Sequence, residues 1–129
     1  MDEDRRDGNA TDTICHCAKR CAAQMSSIRI SPSYPKGERS ALVFEHGTLT
    51  VKLYAPRGTD PQQPHTRDEG YVVISGRGTF VHGHRRDPFE PNDFLFAPAG
   101  LPHRFENFTD DLLVWVIFYG PEGGEVRNE

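Results

Sequence analysis

From Ala41 to Tyr119 the chain is a succession of short apolar segments, none longer than eight residues, each closed by Gly, Pro, Asn or Asp. No stretch carries the 3.6-residue apolar period and caps of an amphipathic helix. Short runs at regular intervals with turn chemistry between them specify an all-β sandwich or barrel. The strands expected are Ala41–Glu45, Leu49–Tyr54, Tyr71–Ser75, Thr79–His82, Pro88–Glu90, Phe94–Ala97, His103–Phe108 and Leu112–Tyr119. Leu49, Val51 and Leu53 alternate with Thr50, Lys52 and Tyr54, the mark of a half-buried strand. Leu112–Tyr119 is almost unbroken apolar sequence, as expected of a strand covered on both faces. Gly 12 and Pro 10 in 129 residues, with a hydrophobic fraction of 36%, suit many tight turns better than long helices.

The length matches one domain, expected over residues 28–121, with residues 122–129 as a frayed tail. Residues 1–27 lack apolar periodicity and are expected to be disordered. They contain Cys15, His16, Cys17 and Cys21. Adjacent ligand-type residues do not form the two spaced pairs that close a structural zinc site, so these thiols read as incidental. Alternatively, translation begins at Met25. No cysteine lies in the expected barrel, which excludes a disulfide framework there. Fifteen basic residues against nineteen acidic ones give a formal charge of −4, without a basic run, so no nucleic-acid surface is expected. The longest apolar run is far short of the roughly 20 residues that span a bilayer. The first 27 residues contain no apolar leader core, and a cytoplasmic location is expected.

Two segments place ligand-type side chains beside Gly/Pro turns and apolar strands. The first is Gln63-Pro64-His65-Thr66-Arg67-Asp68-Glu69 with Gly70–Gly76 behind it; the second runs from Pro98 through Gly100 and His103 to Asn107. Extended backbone would separate His65 from Glu69 by about 13 Å. Both can meet one ion only if Thr66-Arg67-Asp68 folds back, and that polar trio is turn material. His82 and His84 flank Gly83 ahead of Arg85, Arg86 and Asp87, which reads as a solvated hairpin; His46, before Gly47, is expected to be exposed. Tyr54, Phe105 and Trp115 are candidates for a barrel mouth but equally suit plain core. Alternation turns Arg104 away from whatever His103 faces. No phosphate loop, Ser/His/Asp set or nucleophilic cysteine stands out, and no catalytic residue is singled out.

The two segments resemble the two sequence motifs of the cupin superfamily. His65, Glu69 and Gly76 keep the spacing of the first motif from its second His onward; Pro98, Gly100, His103 and Asn107 keep that of the second. The chain departs twice: Gln63 stands where the first His would be, and Asn92 where a Gly would be. Asn also tolerates the left-handed turn. The resemblance implies a double-stranded β-helix, the cupin jelly-roll barrel. It also implies one divalent transition metal (Fe, Mn, Zn or Ni) on His65, Glu69 and His103, with Gln63 an optional fourth ligand. Two imidazoles and a carboxylate are the set used by non-haem iron oxygenases, with positions left open. The function expected is a metal-dependent enzyme, a dioxygenase or an isomerase or lyase, acting on a small polar molecule; the expected assembly is a homodimer. The alternative is a non-catalytic barrel in which the ion anchors a small ligand or braces the fold.

Overall fold

The computed structural model describes residues 29–34 and 39–126. The expectations for residues 1–27, including the cysteine segment and a start at Met25, lie outside them. Within the compact unit Ser31–Glu129 the described chain forms eight strands: β1 (Ser40–His46), β2 (Leu49–Tyr54), β3 (Asp68–Ser75), β4 (Gly78–His82), β5 (Arg85–Phe89), β6 (Phe94–Ala97), β7 (His103–Glu106) and β8 (Leu113–Tyr119). All pair antiparallel, in a five-stranded sheet of order β1-β2-β8-β3-β6 and a three-stranded sheet of order β5-β4-β7. Among the described residues no helix is long and apolar enough to cross a membrane.

One core joins the sheets. Tyr71 and Val73 of β3, Val114 and Val116 of β8, and Ala97 of β6 meet Phe80, Phe89 and Phe105 of the smaller sheet. The aromatic contacts are largely edge-to-face, with Tyr71 5.7 Å from Phe80 and 5.1 Å from Phe105 between ring centroids. This geometry suits the ring quadrupoles. β8 explains its apolar composition by its place: it lies between β2 and β3 at the centre of the large sheet. Its register pairs Val116 with Lys52 and with Tyr71, so these three share the inward face, while Trp115 pairs with Leu53 and Val72 on the opposite one.

The expected turns fall in place with their conformations. Gly76 has φ +97°, and a Cβ there would lie 2.6 Å from the Cα of Leu112, so the turn after β3 admits only glycine. Asn92, the departure from the second motif, sits at φ +78°. β7 ends at Glu106, two residues short of the expected Phe108, and two strands start three residues early. β3 starts three residues early, at Asp68, because Glu69 and Gly70 pair on both sides, with Phe118 and Ile117 of β8 and with Ala97 and Phe96 of β6. β5 begins at Arg85, not Pro88. It is an edge strand, where exposed arginines and a proline are compatible with pairing on one side only. Residues 122–126, within the tail expected to fray, bond back to the barrel: Gly123 N donates to Thr66 O (2.6 Å) and Glu125 N to Asp68 Oδ2 (2.8 Å).

Candidate metal centre

His65 and Glu69 flank bends at Thr66 and Arg67, after which β3 starts at Asp68. The bend is pinned from two directions. Gly100 N donates to the carbonyl of His65 (2.7 Å), and Ala99 N to Oδ1 of the buried Asp68 (2.9 Å). Both donors belong to the loop that leads into β7, so the two ligand-bearing segments are tied backbone to backbone ahead of any ion. On β7, alternation buries His103 and Phe105 and exposes Arg104, which bonds Glu106 outside.

The result is a compact donor set. Glu69 Oε1 lies 2.9 Å from His65 Nδ1 and 3.0 Å from His103 Nε2, and one donor atom from each residue falls within 4.8 Å of the others. Metal bonds of about 2 Å require separations of this order. His103 Nδ1 sits 2.8 Å from Leu101 O. A carbonyl only accepts, so Nδ1 carries the hydrogen and the neutral ring presents the Nε2 lone pair to the centre, the usual device by which a backbone carbonyl orients a metal-binding imidazole. A lone pair and a carboxylate oxygen 3.0 Å apart require a proton or a cation between them. Glu69 Oε1 and His65 Nδ1 are buried and complete no hydrogen bond despite their contact. Such orphaned polar atoms are costly in a barrel interior, and a cation removes the cost. The residues present therefore fit a divalent metal.

Electrostatics agree. Burial pushes the Glu69 carboxyl upward, but His103, His65 and Tyr71 beside it outweigh that and hold it at about 2. Burial lowers the His103 ring, and the Glu69 carboxylate together with the Leu101 carbonyl more than offsets this, so the ring is raised above its ordinary value. Tyr71 belongs to the centre as well. Its hydroxyl lies 3.0 Å from His103 Nε2 and donates to Gln62 Oε1 (3.1 Å). Burial, reinforced by the Glu69 charge, pushes it well above the usual phenol value, so it stays a neutral hydroxyl.

Gln63 is not part of this arrangement. It is exposed, and its neighbour Gln62 faces inward instead, held by Asp60 and Tyr71. His82 is half-buried and paired with Asp87 at 2.7 Å, and His46 is exposed; neither joins the donor set. Of the candidates for the barrel mouth, Tyr54 lines a cavity, Phe105 is core and Trp115 lies on the far face of the sheet.

The centre opens into a cavity of about 280 Å³ whose walls include His65, Glu69, Gln62, Tyr54, Lys52 and Phe118. Phe118 packs edge-on against His65 at 5.0 Å. Tyr54 and Gln62 are fixed by Asp60, a buried carboxylate that accepts from the Tyr54 hydroxyl (2.5 Å), from Gln62 Nε2 (2.7 Å) and from Phe105 N (2.8 Å). Tyr71 was within reach of sequence reasoning, because it is two residues from Glu69 on one strand and so shares its face. Gln62 and Asp60 lie in an irregular loop, where no period marks direction.

Residues 50–119 match the cupin domain family. The chain belongs to the cupins. Across 76 residues it is 38% identical to an uncharacterised protein of Streptomyces coelicolor, covering 57% of this chain and 72% of that one. A cupin 2 conserved barrel domain protein from Salinispora arenicola has the same fold at TM-score 0.59 and 18% identity, over 74% of this chain and 91% of its own. KdgF from a Halomonas species superposes at TM-score 0.58 and 18% identity, over 70% and 87% respectively. The expected cupin jelly-roll is thereby established for this chain.

Proposed function

We propose that this cupin is a metal-dependent enzyme for a small polar molecule, with one divalent transition ion on His65, Glu69 and His103. The observation that carries it is the pair of orphaned buried polar atoms, Glu69 Oε1 and His65 Nδ1, converging with His103 Nε2 at the base of an open cavity. An ion held by two neutral imidazoles and one carboxylate keeps positions free and a net charge of about +1, enough to polarise a substrate oxygen or acidify water. The chain's own residues supply the rest. Leu101 O fixes the tautomer of His103, Tyr71 offers a neutral hydroxyl beside the ligand set, and Phe118 with Val116 walls one side against water. Oxygenation and isomerase or lyase chemistry both suit such a centre. A homodimer belongs to the same proposal: Phe94 and Phe96, 62% and 41% exposed, make an apolar edge on β6 that a second copy can cover.

The test is elemental analysis after reconstitution with Fe, Mn, Zn and Ni. About one ion per chain is expected in the wild type and in His82→Ala. Glu69→Gln, which removes the only charge among the ligands, should weaken binding by at least about a hundredfold. Loss of metal from His82→Ala, or full retention by Glu69→Gln, refutes the centre. Oxygen uptake by the iron-loaded protein with candidate small acids then separates oxygenation from isomerase or lyase chemistry.

A further inference from the structure

β2 carries a lysine where a barrel interior ordinarily carries an apolar side chain. Lys52 pairs with Val116 of β8, whose own side chain is core, so Lys52 points inward between Thr50 and Tyr54 and lines the cavity above Glu69. Its Nζ lies 5.9 Å from the centroid of Phe118, the ring that packs on His65. No ion pair joins Lys52 to a carboxylate among the described residues. The acid that shares this cavity, Glu69, is engaged by His65 and His103, and Asp60, behind Tyr54, is occupied by Tyr54, Gln62 and Phe105 N. Arg39 stands at the rim of the same cavity, its guanidinium held by the carbonyls of Thr59 and Arg57. A groove that shares Lys52, His65 and Phe118 adds Arg67, fixed by Thr48 O and Thr50 Oγ1, and one acid, the exposed Glu45. A chain of net charge −4 thus lines two adjoining openings with three cations, Lys52 common to both, against Glu69 of the donor set in one and the exposed Glu45 in the other. Turning a lysine into a partly buried wall without a fixed counter-charge is unfavourable unless an anion completes it.

We infer that the cavity receives a small organic acid whose carboxylate is taken by Lys52, with Arg39 adding to the field at the rim. This deepens the proposed function, on which it rests: a second oxygen of the same molecule is then directed at His65, Glu69 and His103. Val116, Phe118 and Pro61 give the space between the two ends an apolar lining. The volume, about 280 Å³, lies just under the range of drug-sized sites and suits a compact acid. A carboxylate fits better than a phosphate. The wall offers one free ammonium and side-chain hydroxyls, whereas the Arg39 guanidinium is already engaged, and no nest of backbone N–H groups or helix N-terminus is present among the described cavity residues.

Calorimetric titration of the full chain, metal-loaded and metal-free, with malonate, neutral malonamide and inorganic phosphate tests this. Malonate should bind at least tenfold more tightly than malonamide and phosphate. Lys52→Met keeps the apolar stem and should lose at least tenfold for malonate while leaving malonamide and metal content unchanged; Lys52→Arg should stay within a few-fold of wild type. Equal binding of malonate and malonamide, phosphate as tight as malonate, or an unchanged malonate affinity in Lys52→Met overturns the inference. Failure of the metal centre reads out separately: the protein then takes up no ion, while the charge dependence of malonate binding to the metal-free chain still stands or falls with Lys52.

Discussion

Asp60 holds the cavity wall to the core, and replacing it in two ways separates its contributions. In Asp60→Ala four donors lose their acceptor together: the Tyr54 hydroxyl, the side-chain amide and backbone N–H of Gln62, and the Phe105 N–H. The Phe105 amide cannot turn to solvent, because Phe105 is 1% exposed and Asp60 itself only 8%. A buried N–H without a partner costs about 1–3 kcal/mol. The hydroxyl of half-buried Tyr54 and the amide of Gln62 recover water, at about 0.5–1.5 kcal/mol each. The total is about 2–6 kcal/mol, a large share of the stability of a domain this size. Asp60→Asn should behave differently. Its remaining oxygen can stay on Phe105 N and Gln62, while its NH₂ turns to Tyr54, whose hydroxyl can accept as well as donate. Charge assistance and the long contact from Gln62 N (3.4 Å) are lost, about 1–2 kcal/mol. At about 3–5 °C per kcal/mol for this length, thermal unfolding followed by circular dichroism should fall on the order of 10–20 °C in the alanine variant and roughly 5 °C in the asparagine variant. Hydrogen exchange at the Phe105 amide should accelerate mainly in the former. Equal melting of the two variants, or an Asp60→Ala protein that melts with the wild type, refutes the clamp.

Gly76→Ala should lower the melting temperature on the order of 10 °C, because it forces a side chain into φ +97° and against the Leu112 backbone; a melt unchanged within about 3 °C would contradict the close approach. Gln62→Ala frees the Tyr71 hydroxyl and one side of Asp60, and should shift the absorption or EPR spectrum of a bound cobalt or manganese ion, whereas Gln63→Ala should not; a spectrum that responds to Gln63 alone would put the amide ligand back at that position.

Turn chemistry made most of the fold legible. Gly76 and Gly100 take positive φ, and so does Asn92 as the stand-in for glycine, so the positions that reverse the chain carry residues that announce it. The edge strand β5 did not announce itself, because exposed Arg85, Arg86 and Pro88 have the composition of a loop. The convergence of His65, Glu69 and His103 was legible for a related reason: motif spacing survives wherever a bend and a loop are fixed by local geometry. The cavity wall was not. The strand Leu49–Tyr54 alternates apolar with polar residues, and such alternation ordinarily means core and solvent. Here the polar set Thr50, Lys52 and Tyr54 turns inward with Val114 and Val116, and the apolar Leu53 lies on the other face. A cavity-lining face and a solvent face have the same composition, so period alone cannot tell them apart. Gln62 and Gln63 pose the same difficulty in a loop, where only the bonds to Asp60 and Tyr71 decide which of the two points inward.

The bonds that pin the bend at His65 reach far along the chain, to Gly100, and Thr66 reaches Gly123. β8, the strand that completes pairing for both β2 and β3, is also the last of the eight described strands to be synthesised. On a ribosome, β2 and β3 therefore emerge without their shared neighbour, and non-local pairings of this kind form slowly. The convergence of His65, Glu69 and His103 cannot exist until β8 and the segment through Gly123 are free of the exit tunnel. Until then the cell holds a chain with unpaired strand edges and three scattered candidate ligands.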